Sequence, residues 1–333
     1  MMRAARIHRY GAADEFRIEE VEPMLLGPED LRISVHASSV NPVDFKIRSG
    51  GQRAIIPLTF PATLGMDVSG VVTEVGAAVS DFVVGDEVFS SPSHRRMGSY
   101  AEEIVVRSSE VAKKPASLSH EEAASLPLVG LTAWDALVES CRVGPGDRVL
   151  IQAGAGGVGT VAIQLAKQLG AEVLTTCSAR NVPFVTELGA DVAIDYRTQD
   201  YVEVAQGCDA VVESIGGEHV GRALRTVRRG GRIASLTQGL PSYTKRYGAW
   251  PGLLVFGVRT LGVLLHAWLV KGRKLMLVTR KPRGENLRKL AALVDEGAIR
   301  PVIDRVFPLA DVAEAHRYLE TGRAQGKVVL AVR

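Results

Sequence analysis

The sequence predicts an α/β protein, a doubly wound parallel sheet joined to a second, β-rich domain. Three observations predict it. Gly146-Asp147-Arg148-Val149-Leu150 reads as a short buried strand, and the stretch Ile151-Gln152-Ala153-Gly154-Ala155-Gly156-Gly157-Val158-Gly159-Thr160 separates it from a helical pattern that stops on Gly170. From Glu172 to Leu236, runs of strand character alternate with runs of helical character, as a parallel sheet requires. The first 125 residues instead carry short Val- and Ile-rich runs bounded by Gly, Pro and Asp, with no long helix between them.

Composition sets outer limits. A chain of 333 residues has room for two domains of ordinary size. Hydrophobic residues make up 46% and charged residues 23%, a soluble globular balance, and a net charge of +3 gives no argument for nucleic acid. Cys141, Cys177 and Cys208 are scattered and form no C-x-x-C pair, so neither a disulfide framework nor a cysteine zinc site is expected. The opening Met1-Met2-Arg3-Ala4-Ala5-Arg6 lacks the apolar core of a signal peptide. The expectation is a protein of a reducing compartment, the cytoplasm.

In the first domain, strands are expected at 4–7, 16–21, 30–37, 67–75, 87–90 and 100–106, with turns at Pro28-Glu29-Asp30, Val75-Gly76 and Val84-Gly85-Asp86. Ser39 to Gly50 breaks the rhythm. It reads as a loop entering a short helix, with Asn41 and Asp44 as polar groups among apolar neighbours.

The glycine stretch carries the strongest chemical signal. Gly154, Gly156 and Gly159 fit G-x-G-x-x-G between a strand and a helix, the context of a dinucleotide-binding fingerprint. Gly154 permits the tight turn, Gly156 lets backbone approach a pyrophosphate, and Gly159 lets helix pack on strand. Gly157 and Val158 open the helix, whose N–H groups and positive end favour phosphates. Ser119 and Glu122 form a capping-box pattern for an earlier helix. Further strands are expected at 172–178, 192–196, 208–214 and 231–236, with a helix from Ala179-Arg180-Asn181 to Leu188. An NAD site offers Asp or Glu after the second strand. This chain offers Ser178 and Arg180, which suit the 2′-phosphate of NADPH (NADP). Ligands lie outside the carboxyl ends of such sheets, so Ile215, Gly216 and Leu236 are expected beside the nicotinamide ribose.

Leu253 to Val270 is the most apolar run, interrupted by Arg259 and His266 and punctured by glycines. It is read as a helix over the pocket mouth or at a subunit contact rather than a membrane span, with an interfacial membrane helix as the alternative. Lys274 to Thr279 reads as an edge strand. Gly284 to Glu296 has amphipathic helical spacing, a last helix begins at Asp311, and a last strand covers 326–332.

Asn41-Pro42-Val43-Asp44, Leu64-Gly65-Met66-Asp67-Val68-Ser69-Gly70, Val84-Gly85-Asp86-Glu87-Val88, Gly98-Ser99-Tyr100-Ala101-Glu102 and the fingerprint occur in the order found in the medium-chain dehydrogenase/reductase superfamily. The chain resembles its zinc-free quinone oxidoreductase branch, and within it the reticulon-interacting oxidoreductases. The resemblance implies a Rossmann nucleotide-binding domain at 123–282 and a discontinuous GroES-like catalytic domain at 1–122 and 283–333. It implies that Thr132, Tyr196 and Lys327 contact the cofactor and that 274–279 pairs across a homodimer. Where the zinc alcohol dehydrogenases place Cys, His and Cys, this chain has Asn41, Met66 and Val129, so no metal is expected.

The implied activity is NADPH-dependent transfer of hydride to quinones or α,β-unsaturated carbonyl compounds in an interdomain cleft. Asn41 is expected to donate its amide to the developing oxyanion, Asp44 to orient the loop and Lys46 to lend charge. Gln52, Arg53 and Ala54 stand where some quinone reductases have tyrosines, so no proton donor is assigned. Two alternatives remain. One is an enoyl-thioester reductase with a basic entrance at Lys245, Arg246 and Arg259. The other is a nucleotide-binding sensor or interaction protein without efficient chemistry.

Overall fold

The computed structural model describes residues 1–236, 240–270 and 272–333. The side chains of Lys245 and His266 lie outside the described residues, as do Thr237, Gln238, Gly239 and Lys271 altogether. The chain divides into two compact units, Met1–Leu131 with Lys281–Arg333, and Thr132–Arg280.

The first unit is a β structure. Its seven-stranded sheet runs Ile303–Pro308, Lys327–Ala331, Asp30–Val40, Val68–Val75, Glu87–Ser90, Val111–Lys113, with Glu103–Arg107 also paired to Asp30–Val40. A three-stranded sheet of Arg17–Val21, Met2–Ile7 and Ala62–Thr63 adjoins it. Ile7, Leu31, Ile33, Leu64, Val68, Val72 and Ile104 fill the core between them, none more than 1% exposed. The strand expected at 30–37 runs on to Val40, because Ser38, Ser39 and Val40 continue its pairing with Val328–Leu330. The strand expected from Tyr100 begins at Glu103, since Ala101 makes only an isolated bridge to Ala4. Helix α1, Pro42–Arg48, follows Val40 directly; Asn41 is its N-cap and Pro42 supplies a fixed φ at its first turn.

The second unit is a parallel sheet. Its strands are β1 (Arg148–Ile151), β2 (Glu172–Cys177), β3 (Val192–Asp195), β4 (Cys208–Glu213), β5 (Val227–Ser235) and β6 (Lys274–Leu277). They lie in the order β3-β2-β1-β4-β5-β6, every neighbouring pair parallel. That is the strand order of a Rossmann sheet, with its crevice where the order reverses between β1 and β4. Burial on both faces explains the continuous apolar runs, such as Val149–Ile151 and Ala210–Val212, none more than 1% exposed. Helix α2, Gly157–Gln168, follows β1. Helices α3, Leu240–Tyr247, and α4, Ala249–Leu265, lie between β5 and β6, and a π-helical turn, His266–Val270, continues α4. β6 is the sheet's edge strand and ends at Leu277, two residues before the expected limit.

Candidate functional site

The glycine turn in the second unit is built by packing. A Cβ on Gly154 would meet Thr175 Oγ1 at 2.1 Å, and one on Gly159 would meet the Ala153 carbonyl at 2.4 Å. Both glycines are therefore required by the close approach of α2 to β1 and β2. Gly156 differs. Its Cβ would meet only the Ala153 carbonyl, at 3.3 Å, so its open side faces no other part of the chain. Gly156 is the N-cap of α2, and the amides of Gly157, Val158 and Gly159 form the helix's first turn. Those groups have no partner within the helix and present the positive end of its dipole. This cradle fits a dinucleotide pyrophosphate.

The carboxyl ends of β2 and β3 come together beside it. Cys177 and Asp195 are paired across these strands, and the Tyr196 amide donates to the Cys177 carbonyl at 3.2 Å. Ser178 and Tyr196 thus leave adjacent strand ends. Ser178 is buried, Arg180 is exposed on the turn Ala179–Asn181, and Tyr196 is 55% exposed, which removes core packing as its role. The Arg197 guanidinium lies 5.9 Å from the Tyr196 ring centre. Arg197 was not singled out from the sequence; its place directly after Tyr196 was the available signal.

At the end of β4, Glu213 is fully buried. Its Oε1 accepts the amides of Ile215, at 2.8 Å, and Gly216, and its Oε2 accepts the Ser235 hydroxyl at 2.7 Å. One carboxylate thereby holds the turn after β4 and ties it to the end of β5. The Leu236 amide donates to the Glu213 carbonyl at 2.8 Å, so Leu236 joins Ile215 and Gly216. Gly216, with φ of 82°, takes a left-handed conformation that glycine allows. A cavity of about 1070 Å³ opens here, lined by Ile215, Gly216 and Ser235 from the strand ends and Tyr243, Arg246 and Phe256 from α3 and α4. The expected basic entrance is represented at it by Arg246 and Arg259. Thr132 is half-buried on the helix Pro127–Trp134.

The first unit brings its polar residues into one buried network. Asp67, fully buried, is the hub. Its Oδ1 accepts the Leu128 amide at 2.7 Å; its Oδ2 accepts the Ser39 hydroxyl at 2.7 Å, the Asn41 amide Nδ2 at 2.7 Å and Lys327 Nζ at 3.2 Å. Lys327 Nζ also donates to Asn41 Oδ1 at 2.6 Å. The side-chain amide of Asn41, expected to serve a developing oxyanion, is engaged in this network. Asn41 is 1% exposed, and its Nδ2 is directed to Asp67 and, at 3.4 Å, to the Ser39 carbonyl. Asn41 thereby bridges Lys327 and Asp67. Lys327, expected to reach the cofactor, stands in this same cluster. Lys46 is half-buried on α1, where burial lowers its pKa, and makes none of these contacts.

Asp44 begins a second chain of hydrogen bonds. Its Oδ2 accepts the Asn41 amide at 2.8 Å and the Tyr100 hydroxyl at 3.0 Å. His316 Nε2 lies 3.3 Å from Tyr100 Oη, and its Nδ1 lies 3.0 Å from Arg48 Nη1, while Arg48 Nη2 pairs with Glu320. Arg48 can only donate, so Nδ1 accepts and the ring carries its proton on Nε2. Burial raises the Asp44 pKa to about 7 and Tyr100 well above the ordinary phenol, and lowers His316 to about 3.

Residues 27–116 match the alcohol dehydrogenase GroES-like domain and residues 188–330 the zinc-binding dehydrogenase domain. The chain is 36% identical to the mitochondrial NAD(P)H oxidoreductase RTN4IP1 of Danio rerio, over all of this chain and 92% of that protein. It is 34% identical to a chloroplastic NADPH-dependent alkenal/one oxidoreductase of Arabidopsis thaliana, over 96% of this chain and 77% of that protein. The quinone oxidoreductase of Coxiella burnetii superposes with a TM-score of 0.87 at 33% identity, covering 100% of this chain and 99% of that one. The second domain match names zinc, but the residues here do not fit it. An amide, a thioether and an isopropyl group at Asn41, Met66 and Val129 make a poor donor set for this metal. Among the described residues no three His, Cys, Asp or Glu side chains are grouped to hold a metal ion.

Proposed function

The chain belongs to the medium-chain dehydrogenase/reductase superfamily, in its quinone oxidoreductase-like branch, and we propose that it is an NADPH-dependent, zinc-independent reductase of quinones and α,β-unsaturated carbonyl compounds. The observation that carries the cofactor choice is the pair of strand ends at β2 and β3. Ser178 and Arg180 stand where an NAD site holds a carboxylate, and Tyr196 and Arg197 leave the neighbouring strand beside them. Cations and a hydroxyl favour a 2′-phosphate, and no carboxylate side chain of β2's end opposes it. The names of the quinone oxidoreductase and alkenal/one oxidoreductase relatives support the acceptor class.

When bound, the dinucleotide supplies the hydride. The chain's own residues hold and orient it. The first-turn amides of α2 cradle the pyrophosphate, and Glu213 fixes the Ile215–Gly216 turn against which the nicotinamide half rests. Lys327, held by Asn41 and Asp67, supplies fixed positive charge toward an oxygen that gains negative charge in the reaction. Solvent supplies the proton. The three cysteines are unpaired and buried, in keeping with a reducing compartment such as the cytoplasm.

Steady-state NADPH oxidation with 9,10-phenanthrenequinone, a simple enone and an enoyl-CoA tests this reading. Turnover with the first two is expected. Preference for the enoyl-CoA would assign an enoyl-thioester reductase, and tight NADPH binding with no turnover on any acceptor would assign a sensor.

A further inference from the structure

Helix α4 has two apolar faces where a soluble helix has one. Its inner face is packed: the ring of Phe256 lies 5.9 Å from that of Tyr243 on α3, and Ala267 in the following turn is fully buried in the sheet's core beside Leu275. Its outer face carries Trp250, Leu254, Val258, Leu261 and Leu265, each between 46% and 75% exposed. At 3.6 residues per turn these five fall within an arc of about 80°. Trp268 and Leu269 extend the patch at more than 60% exposure. Contiguous apolar surface of this kind marks an interaction site.

Charge selects the partner. Residues 219–284 contain fourteen Lys and Arg and no Asp or Glu. Arg222 and Arg228 pair with Asp200 and Asp209, but the contacts of Arg246 and Arg259 near the stripe are with tyrosines: Arg246 lies over the Tyr247 ring at 5.3 Å and Arg259 reaches the Tyr243 hydroxyl at 3.4 Å. Two of the chain's three tryptophans sit at the ends of the stripe, the side chain best suited to the boundary between headgroups and acyl chains. A second copy docked on this face would bring the same cations against it. An anionic lipid surface complements them.

The stripe lies along such a surface and does not cross it. Trp250–Leu269 is long and apolar enough to span. However, β5 before α3 and β6 after the π turn are hydrogen-bonded neighbours in one sheet, and Ala267 is anchored in that sheet's core. A spanning helix would have to leave one end of this pair on the far side of the bilayer. Arg259, mid-helix, also opposes burial in hydrocarbon.

We propose that the outer face of α4 and its flanking cations seat the protein on the surface of an anionic phospholipid bilayer, as an interfacial helix whose apolar stripe enters the headgroup boundary. The inference does not depend on the reductase reading, and its test reads no turnover. The protein is co-sedimented with vesicles of phosphatidylcholine alone and with about 30% phosphatidylglycerol, at low and high salt. The bound fraction should rise about tenfold with the anionic lipid, fall with salt, and be accompanied by a blue shift of indole emission from Trp250 and Trp268. The exposed pair Leu254→Glu with Leu261→Glu should abolish both while leaving the melting temperature unchanged. Should that variant lose stability, Trp250→Ser with Trp268→Ser supplies the same sedimentation test. No preference for the anionic vesicles, or undiminished binding by the variants, overturns the proposal. So does a wild type that ignores vesicles but sediments in solution as a dimer that Leu254→Glu with Leu261→Glu dissociates, which would assign the face to a second copy.

Discussion

Replacing Asp44 or His316 singly should expose a pH dependence that the intact network conceals. In the folded chain burial, reinforced by the nearby Asp67 charge, lifts the Asp44 carboxyl from 3.8 to about 7. The Tyr100 hydroxyl and Lys327 oppose that rise. Burial, with the Arg48 charge, drops His316 from 6.5 to about 3. Between pH 3.8 and about 7 the folded chain keeps the Asp44 proton that the unfolded chain has released, so stability falls as pH rises through this window. Between about 3 and 6.5 the unfolded chain protonates His316 and the folded chain does not, so stability falls as pH drops through that window. Each slope is about 1.4 kcal/mol per pH unit, and the two have opposite sign. Where the windows overlap, from about 4 to 6.5, they cancel. Asp44→Asn leaves the His316 slope alone: stability should climb by about 3 to 4 kcal/mol from pH 4 to 6.5, on the order of 10 °C in Tm. His316→Gln preserves a donor and an acceptor for Tyr100 and Arg48 and should give the reverse, a decline toward pH 7. Thermal melts of the three proteins across pH 4 to 7.5 check this. Variants that both follow the wild-type profile, or slopes of the opposite sign, would refute the coupling of these two buried groups.

Arg180→Ala should weaken NADPH binding by about tenfold or more, the worth of a charge-assisted contact of about 1.5–3 kcal/mol, and change NADH little. Fluorescence titrations with both nucleotides decide it, and equal losses would remove Arg180 from the phosphate site. Asn41→Ala leaves Lys327 and Asp67 each short of a buried partner and should cost about 1–3 kcal/mol in urea unfolding. Its turnover should fall while the Kd for NADPH holds, and an unchanged rate would confine Asn41 to a structural role. Elemental analysis of the purified protein should find no stoichiometric zinc; one tightly held zinc per chain would overturn the donor-set argument.

What the sequence made legible follows from how local its causes are. A parallel strand buried on both faces is a continuous apolar run, and a strand–glycine–helix turn is contiguous in the chain. β1, β2, β4 and the turn at Gly154–Gly159 could therefore be located, the strand ends to within two residues. Local signals also limited the ends. Val111–Lys113 is too short to show a period, and Asp30–Val40 extends past its apolar pattern because serines at 38 and 39 find partners across the sheet. The carboxylates were the systematic omission. Asp67 and Glu213 each interrupt an apolar run, and their side-chain partners are remote in sequence: Lys327 is 260 residues from Asp67, and Ser235 is 22 from Glu213.

Asn41 shows what that omission costs an argument from chemistry. A primary amide before a proline, among apolar neighbours, has the donor that a developing oxyanion needs, and residue type alone assigns it that task. The folded chain instead directs the amide to a carboxylate 26 residues away and its carbonyl oxygen to an ammonium 286 residues away. Such buried pairs are weak contributors to stability, because desolvation offsets most of their attraction. Their value lies in fixed geometry. Asp67 accepts four hydrogen bonds that converge from a strand, a helix cap, a helix start and the final strand, so the position of the Lys327 charge is set by the whole β unit rather than by its own flexible stem. A charge held in that way needs little reorganisation when negative charge develops near it, which is the condition for electrostatic assistance to hydride transfer. In the proposed reaction the residue that residue type singled out thus doubles as a support for Lys327, the group to which this fixed geometry would lend electrostatic leverage.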